Sequence, residues 1–206
     1  MKFIKWLKNY WYYYKVPFII IVSVIAVGII MALLLTERVE YDCSVYLCVS
    51  ENASSEFVSA LGAAVSQYAD DENGDGETRV QVINLSYDFA SPDGEEALAK
   101  STLLAGEMQA GGHFVFFYDD NYYERALGTM FEQRVGLPDK SGTAVDISGS
   151  ELEGYIKTGL ATVGFDPDTL PQLYMSMRQR PRDESKMDAY TVESALFDKL
   201  LVAAKK

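Results

Sequence analysis

The sequence predicts an α/β domain, a three-layer sandwich with a mostly parallel sheet, attached to one N-terminal transmembrane helix. An uncharged apolar run covers residues 16–35. Beyond it, short buried-looking strands and amphipathic helices alternate three times along the chain. Strand–helix–strand repeats pair in parallel through right-handed crossovers, which place helices over both faces of a sheet.

Residues 16–35 are predicted to remain in the cell membrane as an uncleaved signal-anchor. As a helix at 1.5 Å per residue, the run is about 30 Å long, the thickness of a hydrocarbon core. A cleaved signal peptide has a shorter apolar region followed by small residues, whereas TERVEYD follows here. Lysines precede the run and acidic residues follow it. The positive-inside rule therefore predicts a single-pass protein with a cytoplasmic N-terminus and an extracellular C-terminal domain.

The first fifteen residues, MKFIKWLKNYWYYYK, have apolar and basic positions at helical spacing. One interpretation is a short cytoplasmic amphipathic segment that lies on the lipid bilayer, with Pro17 marking the turn into the membrane. The other is an aromatic belt combined with a topology signal. Both interpretations make the bilayer a partner of this segment.

The charge of the chain is unevenly distributed. The formal net charge is −12, and residues 1–15 contribute four lysines and no acid, so the rest of the chain carries −16. A strongly acidic domain repels phosphate groups, which argues against nucleic acid as a partner. Cationic ligands and basic proteins fit this charge.

Residues 36–206 are predicted to form one extracytoplasmic domain. Its first half contains a strand over 44–49, a helix over 54–70 capped by Asn52 or Ser54, and a strand over 79–85. A helix over 93–110 follows, with a capping pair in Asp93 and Glu96, and it is expected to end at Gly111. After it come a strand over 114–118 and a helix over 121–131. Residues 133–171 are rich in Gly, Pro, Asp and Ser and are predicted to be loose, except for a short strand over 144–147. A half-exposed strand over 173–177 and an amphipathic helix over 190–203 complete the domain.

Two cysteines lie in the first predicted strand. Cys43 and Cys48 are five positions apart, which is roughly 16 Å along a strand and places them on opposite faces. That separation exceeds disulfide reach, so both are expected to be small buried side chains. His113, the one histidine of the sequence, begins a predicted strand and is expected to be structural.

The stretch DENGDGET, residues 71–78, matches the first half of an EF-hand loop. Asp71, Asn73, Asp75 and Glu77 offer oxygen ligands for weak calcium binding. Arg79 and a valine occupy the later ligand positions, so the glutamate that closes the cage is missing. The alternative is a turn without an ion, in which the glycines take left-handed backbone angles.

Polar residues follow each of the first three predicted strands. The carboxyl ends of parallel strands meet at one edge of a sheet, where α/β proteins bind ligands. A cationic or hydroxyl-bearing ligand suits the side chains there, although polar loop residues and helix caps have the same composition. The candidate ligand-binding residues are Ser50, Asn52, Ser86, Tyr87, Asp88, Asp119, Asp120 and Asn121.

Known catalytic motifs are missing from the sequence, including the G-x-S-x-G elbow, the P-loop and H-E-x-x-H. We therefore expect a non-enzymatic protein without a cofactor. A carboxylate hydrolase that uses Asp119 or Asp120 is the enzymatic alternative.

Residues 43–131, with their stretch LLAGEMQAGGHFVFFYDDNYYE, resemble the first lobe of type 2 periplasmic, or extracellular solute-binding, proteins. The NYWYYYK opening, the apolar run, YDCSVYL and NGDG are together similar to membrane-anchored proteins of Clostridia and related Gram-positive bacteria. The resemblance implies a tethered solute-binding-like module for a small ligand or a membrane protein partner. Solute-binding proteins close two lobes, however, and this chain has room for one lobe and a cap. The alternative function is a structural or assembly subunit of a membrane protein complex.

Overall fold

The computed structural model describes residues 2–36, 40–90, 94–124, 130–133, 137–140 and 142–205. The chain divides into two compact units, Met1–Glu40 and Tyr41–Lys206.

The first unit is a single helix, α1, Lys2–Thr36. Within it, the 21 residues Trp11–Met31 are long and apolar enough to cross a membrane, since they span about 31 Å. The predicted turn at Pro17 is wrong, because the helix continues through this residue. A proline removes one backbone N–H from the helix interior, and the residues on either side of Pro17 keep helical geometry.

The second unit is built on a five-stranded sheet with the order β2-β1-β3-β5-β4. β1 lies in parallel between β2 and β3, whereas β5 is antiparallel to both β3 and β4. The sheet is therefore mixed, and the expectation of a mostly parallel sheet is wrong. The strands are β1 Cys43–Cys48, β2 Val80–Asn84, β3 Val115–Tyr118, β4 Ala144–Asp146 and β5 Tyr174–Met177.

The position of β5 explains why the sheet is mixed and not mostly parallel. It inserts between β3 and β4, so Met175, Ser176 and Met177 are buried, and the half-exposed strand expected there is wrong. Met175 and Met177 enter the core on one face of the sheet, and Ser176 is buried on the other face. Both faces of this strand are therefore covered, which an alternating sequence does not indicate.

In the described part of the second unit, five α-helices accompany the sheet. The N-terminus of α2 is capped by Ser54, whose Oγ accepts a hydrogen bond from Phe57 N at 3.2 Å. α3 ends at Gly111, which has a left-handed φ of 62°, as its sequence predicts. The helices are α2 Ser55–Ser66, α3 Glu95–Ala110, α4 Asp120–Tyr122, α5 Glu151–Thr162 and α6 Met187–Ala204.

Two predicted helices differ from the structure. Phe131 forms a β-bridge with Arg178, so the helix expected over 121–131 does not reach its predicted end, and residues 125–129 lie outside the described residues. The capping residue Asp93 also lies outside them, and α3 begins after Gly94 without a side-chain cap.

α5 falls in the region expected to be loose. Its N-terminus resembles a capping box: Ser150 Oγ accepts from Glu153 N at 3.2 Å, and the Glu153 carboxylate accepts from Gly149 N, one residue before the cap. Leu152, Ile156 and Leu160 follow at helical spacing and are buried. The glycine and proline content of residues 133–171 concealed this signal.

The side chains of the sheet enter two core clusters, one for each alternating set of positions. Val45 and Leu47 belong to the cluster that includes residues of α2, α5 and α6, whereas Tyr46 belongs to the cluster with Leu104 of α3. Cys43 lies in the first cluster and Cys48 in the second. Their places in different clusters confirm that they lie on opposite faces of the sheet, and both thiols are free and buried.

α2 and α5 pack closely because α5 presents a glycine to α2. A Cβ added at Gly159 lies 3.1 Å from Ala60 Cβ, closer than normal van der Waals contact. We expect Gly159→Leu to lower the free energy of unfolding by about 1–3 kcal/mol, since the larger side chain pushes the helices apart. The measurement is urea denaturation, and Gly154→Leu on the same helix is the control. A Cβ at Gly154 has no neighbour within 4 Å among the described residues, so equal losses in both variants contradict close packing as the cause.

Candidate functional site

The order of the first three strands creates a switch point between β1 and β3. The chain leaves β1 through α2 to reach β2, and it then returns through α3 to β3 on the other side of β1. Neighbouring connections therefore diverge at the carboxyl ends of β1 and β3, which leaves a crevice at this edge. Ser50 and Asp119 follow these two strands, so they meet at the crevice.

Asp119 joins the ends of the two strands. Its Oδ2 accepts hydrogen bonds from Ser50 N at 2.7 Å and from Ser50 Oγ at 2.6 Å. Its Oδ1 accepts from Tyr122 N at 2.8 Å, which caps α4. The side chain is buried, and both carboxylate oxygens are engaged. Asp119 therefore holds the loops around the crevice in position.

Ser86 fastens the end of β2 to β1. Its Oγ accepts from Val49 N at 3.0 Å and lies 3.3 Å from Leu47 O, to which it donates. The serine is buried beneath the surface of the crevice. Its position indicates a structural role.

Asp120 has an ion-pair partner, Lys140. The Lys140 ammonium lies 5.0 Å from the Tyr123 ring centroid and 5.1 Å from that of Tyr174. Burial opposes the positive charge of Lys140, but the hydrogen bond and the negative charge of Asp120 outweigh burial and raise the pKa of Lys140. This lysine is therefore held as a cation beside the crevice.

Three adjoining clefts open at this edge, with volumes of about 300, 320 and 640 Å³. Glu51 lines all three, so it stands at their common centre. The lining residues among the described parts of the chain include no lysine or arginine. The smallest cleft has apolar side chains in its wall, namely Phe57, Leu160, Phe165, Leu170 and Pro171. The other two contain Ser50, Asp88, Asp119, Asp120, Asn121 and Glu124.

The structure brings some of the eight predicted residues together and separates others. Ser50, Asp119 and Asn121 are in contact, since Asn121 Nδ2 lies 3.3 Å from Ser50 Oγ. Asn52 lines the smallest cleft and Asp88 the largest. Tyr87 instead packs its ring against Phe89 and Tyr122, at centroid distances of 4.9 and 5.7 Å.

Several lining residues were not among the predicted set. Glu51 lies three positions after the end of β1, beside Ser50 and Asn52, so its position along the sequence was sufficient to include it. Thr169, Pro171 and Gln172 come from the segment between α5 and β5. Nothing in the sequence places that segment at the carboxyl edge, because its position depends on the insertion of β5.

The DENGDGET segment forms a turn that is stabilised by its own carboxylates. Asp71 accepts from Gly74 N at 2.7 Å and from Gly76 N at 2.9 Å, and both glycines have positive φ. Arg79 pairs with Asp75 at 2.9 Å and with Glu77. Within the described ranges, no group of three or more His, Cys, Asp or Glu side chains is arranged to hold a metal ion. The contacts are those expected of the turn, and calcium binding by Asp71, Asn73, Asp75 and Glu77 stays a prediction.

At the opposite edge of the sheet, a buried carboxylate holds the start of β3. Glu193 on α6 accepts from Phe114 N at 2.5 Å and from Val115 N at 3.3 Å, and its other oxygen lies 3.0 Å from His113 Nδ1. Burial raises the pKa of Glu193, although the hydrogen bonds oppose this shift. His113 therefore has the structural position expected from the sequence, and its partner Glu193 was not foreseen.

Comparisons with known protein families, with curated proteins and with solved structures find no match to this chain.

Proposed function

We propose that this chain is a membrane-tethered, non-enzymatic binding module whose acidic clefts at the carboxyl edge of the sheet take a small cationic, hydroxyl-bearing ligand. The observation that carries the proposal is the meeting of three clefts at Glu51, beside the switch point between β1 and β3. In this proposal the outer domain is a three-layer α/β lobe that resembles part of an extracellular solute-binding protein of Gram-positive bacteria.

The chemistry of the clefts defines the class of ligand. Carboxylates of Glu51, Asp88 and Glu124 attract an ammonium group, while Ser50 and Asn121 offer hydrogen bonds to hydroxyl groups. The smallest cleft adds an apolar wall around Phe165 and Leu170, which suits an aliphatic or ring portion. An amino sugar or a hydroxylated amine combines these features.

The N-terminal unit supplies the tether in this proposal. α1 is long and apolar enough to span a bilayer, and the positive-inside rule orients its lysine-rich end toward the cytoplasm. The acidic unit Tyr41–Lys206 then faces the outside as a surface-held binding module. The orientation is tested by adding a protease to whole cells, which is expected to remove this unit and leave a fragment that contains α1.

We expect amines from a library of amino sugars, polyamines and hydroxylated amines to raise the melting temperature of the full chain in detergent. A ligand at 100 times its Kd stabilises the native state by about 2.7 kcal/mol, which is a readily measured shift. Glu51→Gln is expected to abolish the shift, because it removes the carboxylate that all three clefts share. Glu184→Gln, an exposed residue outside the clefts, is the control and is expected to keep it.

Two outcomes contradict this function. One is a library in which no compound changes the melting temperature. The other is a stabilising compound that acts equally on the wild type and on Glu51→Gln, since it then binds elsewhere.

The second candidate function is a structural or assembly subunit of a membrane protein complex. The side chains of α1 over Trp11–Met31 are exposed, and a Cβ placed at Gly28 meets no described atom within 4 Å. A partner helix can approach closely at such a glycine. Purification from membranes distinguishes the two functions, because an assembly subunit is recovered in a stoichiometric complex without added ligand.

A further inference from the structure

The two edge strands of the sheet, β4 and β2, differ in whether their outward-facing backbone groups have hydrogen-bond partners. The outer edge of β4 is covered by Asp139, which accepts hydrogen bonds from Ala144 N at 3.2 Å through its carbonyl and from Asp146 N at 3.1 Å through its carboxylate. β2, at the other edge, pairs with β1 and with no other strand in the described parts of the chain. Among the residues that the structure describes, one edge is therefore closed and the other is open.

The hydrogen bonds at the two ends of β2 show which of its backbone groups face outward. Arg79 O accepts from Asp42 N, and Leu85 N donates to Leu47 O, so odd-numbered positions face β1. Backbone groups alternate along a strand, and those of Val80, Val82 and Asn84 therefore point away from β1. Asn84 O accepts from Lys100 Nζ at 2.6 Å, which closes that end. Val80 and Val82 present their N–H and C=O groups at the open edge.

A groove of about 520 Å³ runs beside this edge, between β2 and α2. α2 contributes small residues to its wall, namely Ser59, Gly62, Ala63 and Ser66. A Cβ at Gly62 lies 3.3 Å from Val82 Cγ2, so a larger residue there fills the space beside the strand. The groove shares no lining residue with the three clefts at Glu51, and it is a separate feature.

We propose that the open edge of β2 binds an extended segment of another protein, which adds to the sheet as a sixth strand. The segment hydrogen-bonds to Val80 and Val82, and every second side chain enters the groove beside α2. Strand addition of this kind takes affinity from the backbone bonds and specificity from the pockets for alternate side chains. The small residues of α2 fit β-branched or small apolar side chains.

Charge defines the other property of the partner. The turn that precedes β2 is exposed and acidic, with Asp71, Glu72, Asp75 and Glu77, and the positive charge of Arg79 is already paired with two of these residues. A lysine or arginine at the end of the added strand next to this turn is therefore favoured. The partner is an extended, basic segment with small apolar residues at alternate positions.

The test uses the full chain in nanodiscs and a phage-displayed library of random twelve-residue peptides. Val82→Pro is the main variant. It removes an N–H that points away from β1, so the bonds between β1 and β2 are kept, as is typical of proline on edge strands. We expect enriched peptides that alternate apolar residues and carry Lys or Arg, and their affinity is expected to fall at least tenfold for Val82→Pro. Val82→Ala, which keeps the N–H, is expected to bind within about threefold of the wild type.

Hydrogen exchange gives a second measurement that does not depend on the folding of the variant. A bound peptide is expected to slow exchange at the amides of Val80 and Val82 and to leave Gln81 and Ile83, which already face β1, almost unchanged. The proposal is overturned if no peptide is enriched, or if enriched peptides bind Val82→Pro equally or protect another region. A dimer of the chain that is lost in Val82→Pro also overturns it, because the edge then belongs to a second copy.

Discussion

Glu193→Ala is expected to lower the free energy of unfolding by about 3–5 kcal/mol, the largest effect of any single substitution proposed for this protein. The Glu193 carboxylate is 3% exposed, accepts from Phe114 N and Val115 N, and lies 3.0 Å from His113 Nδ1. Alanine leaves two buried backbone donors without an acceptor at the start of β3. The measurement is urea denaturation of the full chain in detergent, followed by circular dichroism.

Val202→Ala on the same helix is the control, because this side chain is exposed and its loss is expected to change stability by less than about 0.5 kcal/mol. A loss for Glu193→Ala that equals the control shows that water replaces the carboxylate at no cost. That result contradicts a structural role for Glu193.

The same residue predicts a pH dependence with a definite sign. Burial raises the folded-state pKa of Glu193 above its ordinary value of 4.5. The stabilisation that comes from this raised pKa is therefore fully present below pH 4.5, and it is lost as the pH rises through the folded-state pKa of Glu193. The comparison is made in a His113→Gln background, so that the histidine does not contribute. There, the protein with Glu193 is expected to gain stability relative to the Glu193→Gln variant, which does not titrate at this position, as the pH falls through this window.

Asp119→Ala is expected to lower the free energy of unfolding by about 2–4 kcal/mol and to change the shape of the clefts at Glu51. Asp119 is 8% exposed, and its oxygens accept from Ser50 N, Ser50 Oγ and Tyr122 N. Removing the acceptor leaves these donors to find water at the crevice, and each lost bond costs about 1 kcal/mol or more. Denaturation measures the stability, and hydrogen exchange at Ser50 and Tyr122 shows which loops have loosened.

Ser50→Ala provides a matched comparison. It removes the hydroxyl bond to Asp119 and the exposed 3.3 Å contact with Asn121 Nδ2, and it keeps the backbone bond from Ser50 N, so we expect a loss of only about 1 kcal/mol. The double variant is expected to lose less than the sum of the two single variants, since they share one bond. Strict additivity contradicts a direct contact between Ser50 and Asp119.

Local patterns in the sequence were sufficient to predict the strands and helices of the first half of the domain and the meeting of Ser50 and Asp119 at one edge of the sheet. Ser54 capped its helix, Gly111 ended another, and Ser50 and Asp119 met because the ends of parallel strands converge. These features depend on residues close in the sequence or on a general rule of parallel sheets.

The features that were missed depend on contacts between distant residues. β5 enters the sheet beside β3 in the antiparallel direction, and Glu193 reaches a strand 79 positions earlier in the chain. Periodicity indicates that a strand or helix exists, but it does not indicate which neighbour it selects. The lining of the clefts by Thr169, Pro171 and Gln172 was therefore out of reach, because it follows from the position of β5.

The buried thiols of β1 make cysteine modification a measure of how often this strand opens. Burial raises the pKa of Cys43 to about 12 and raises that of Cys48 as well, so neither sulfur ionises while the strand is in place. An alkylating reagent then reacts only after β1, which has strands on both sides, separates from its neighbours. The rate of cysteine modification, measured by mass spectrometry, therefore reports how often β1 separates from its neighbours, and it ranks the substitutions above by their effect on that opening.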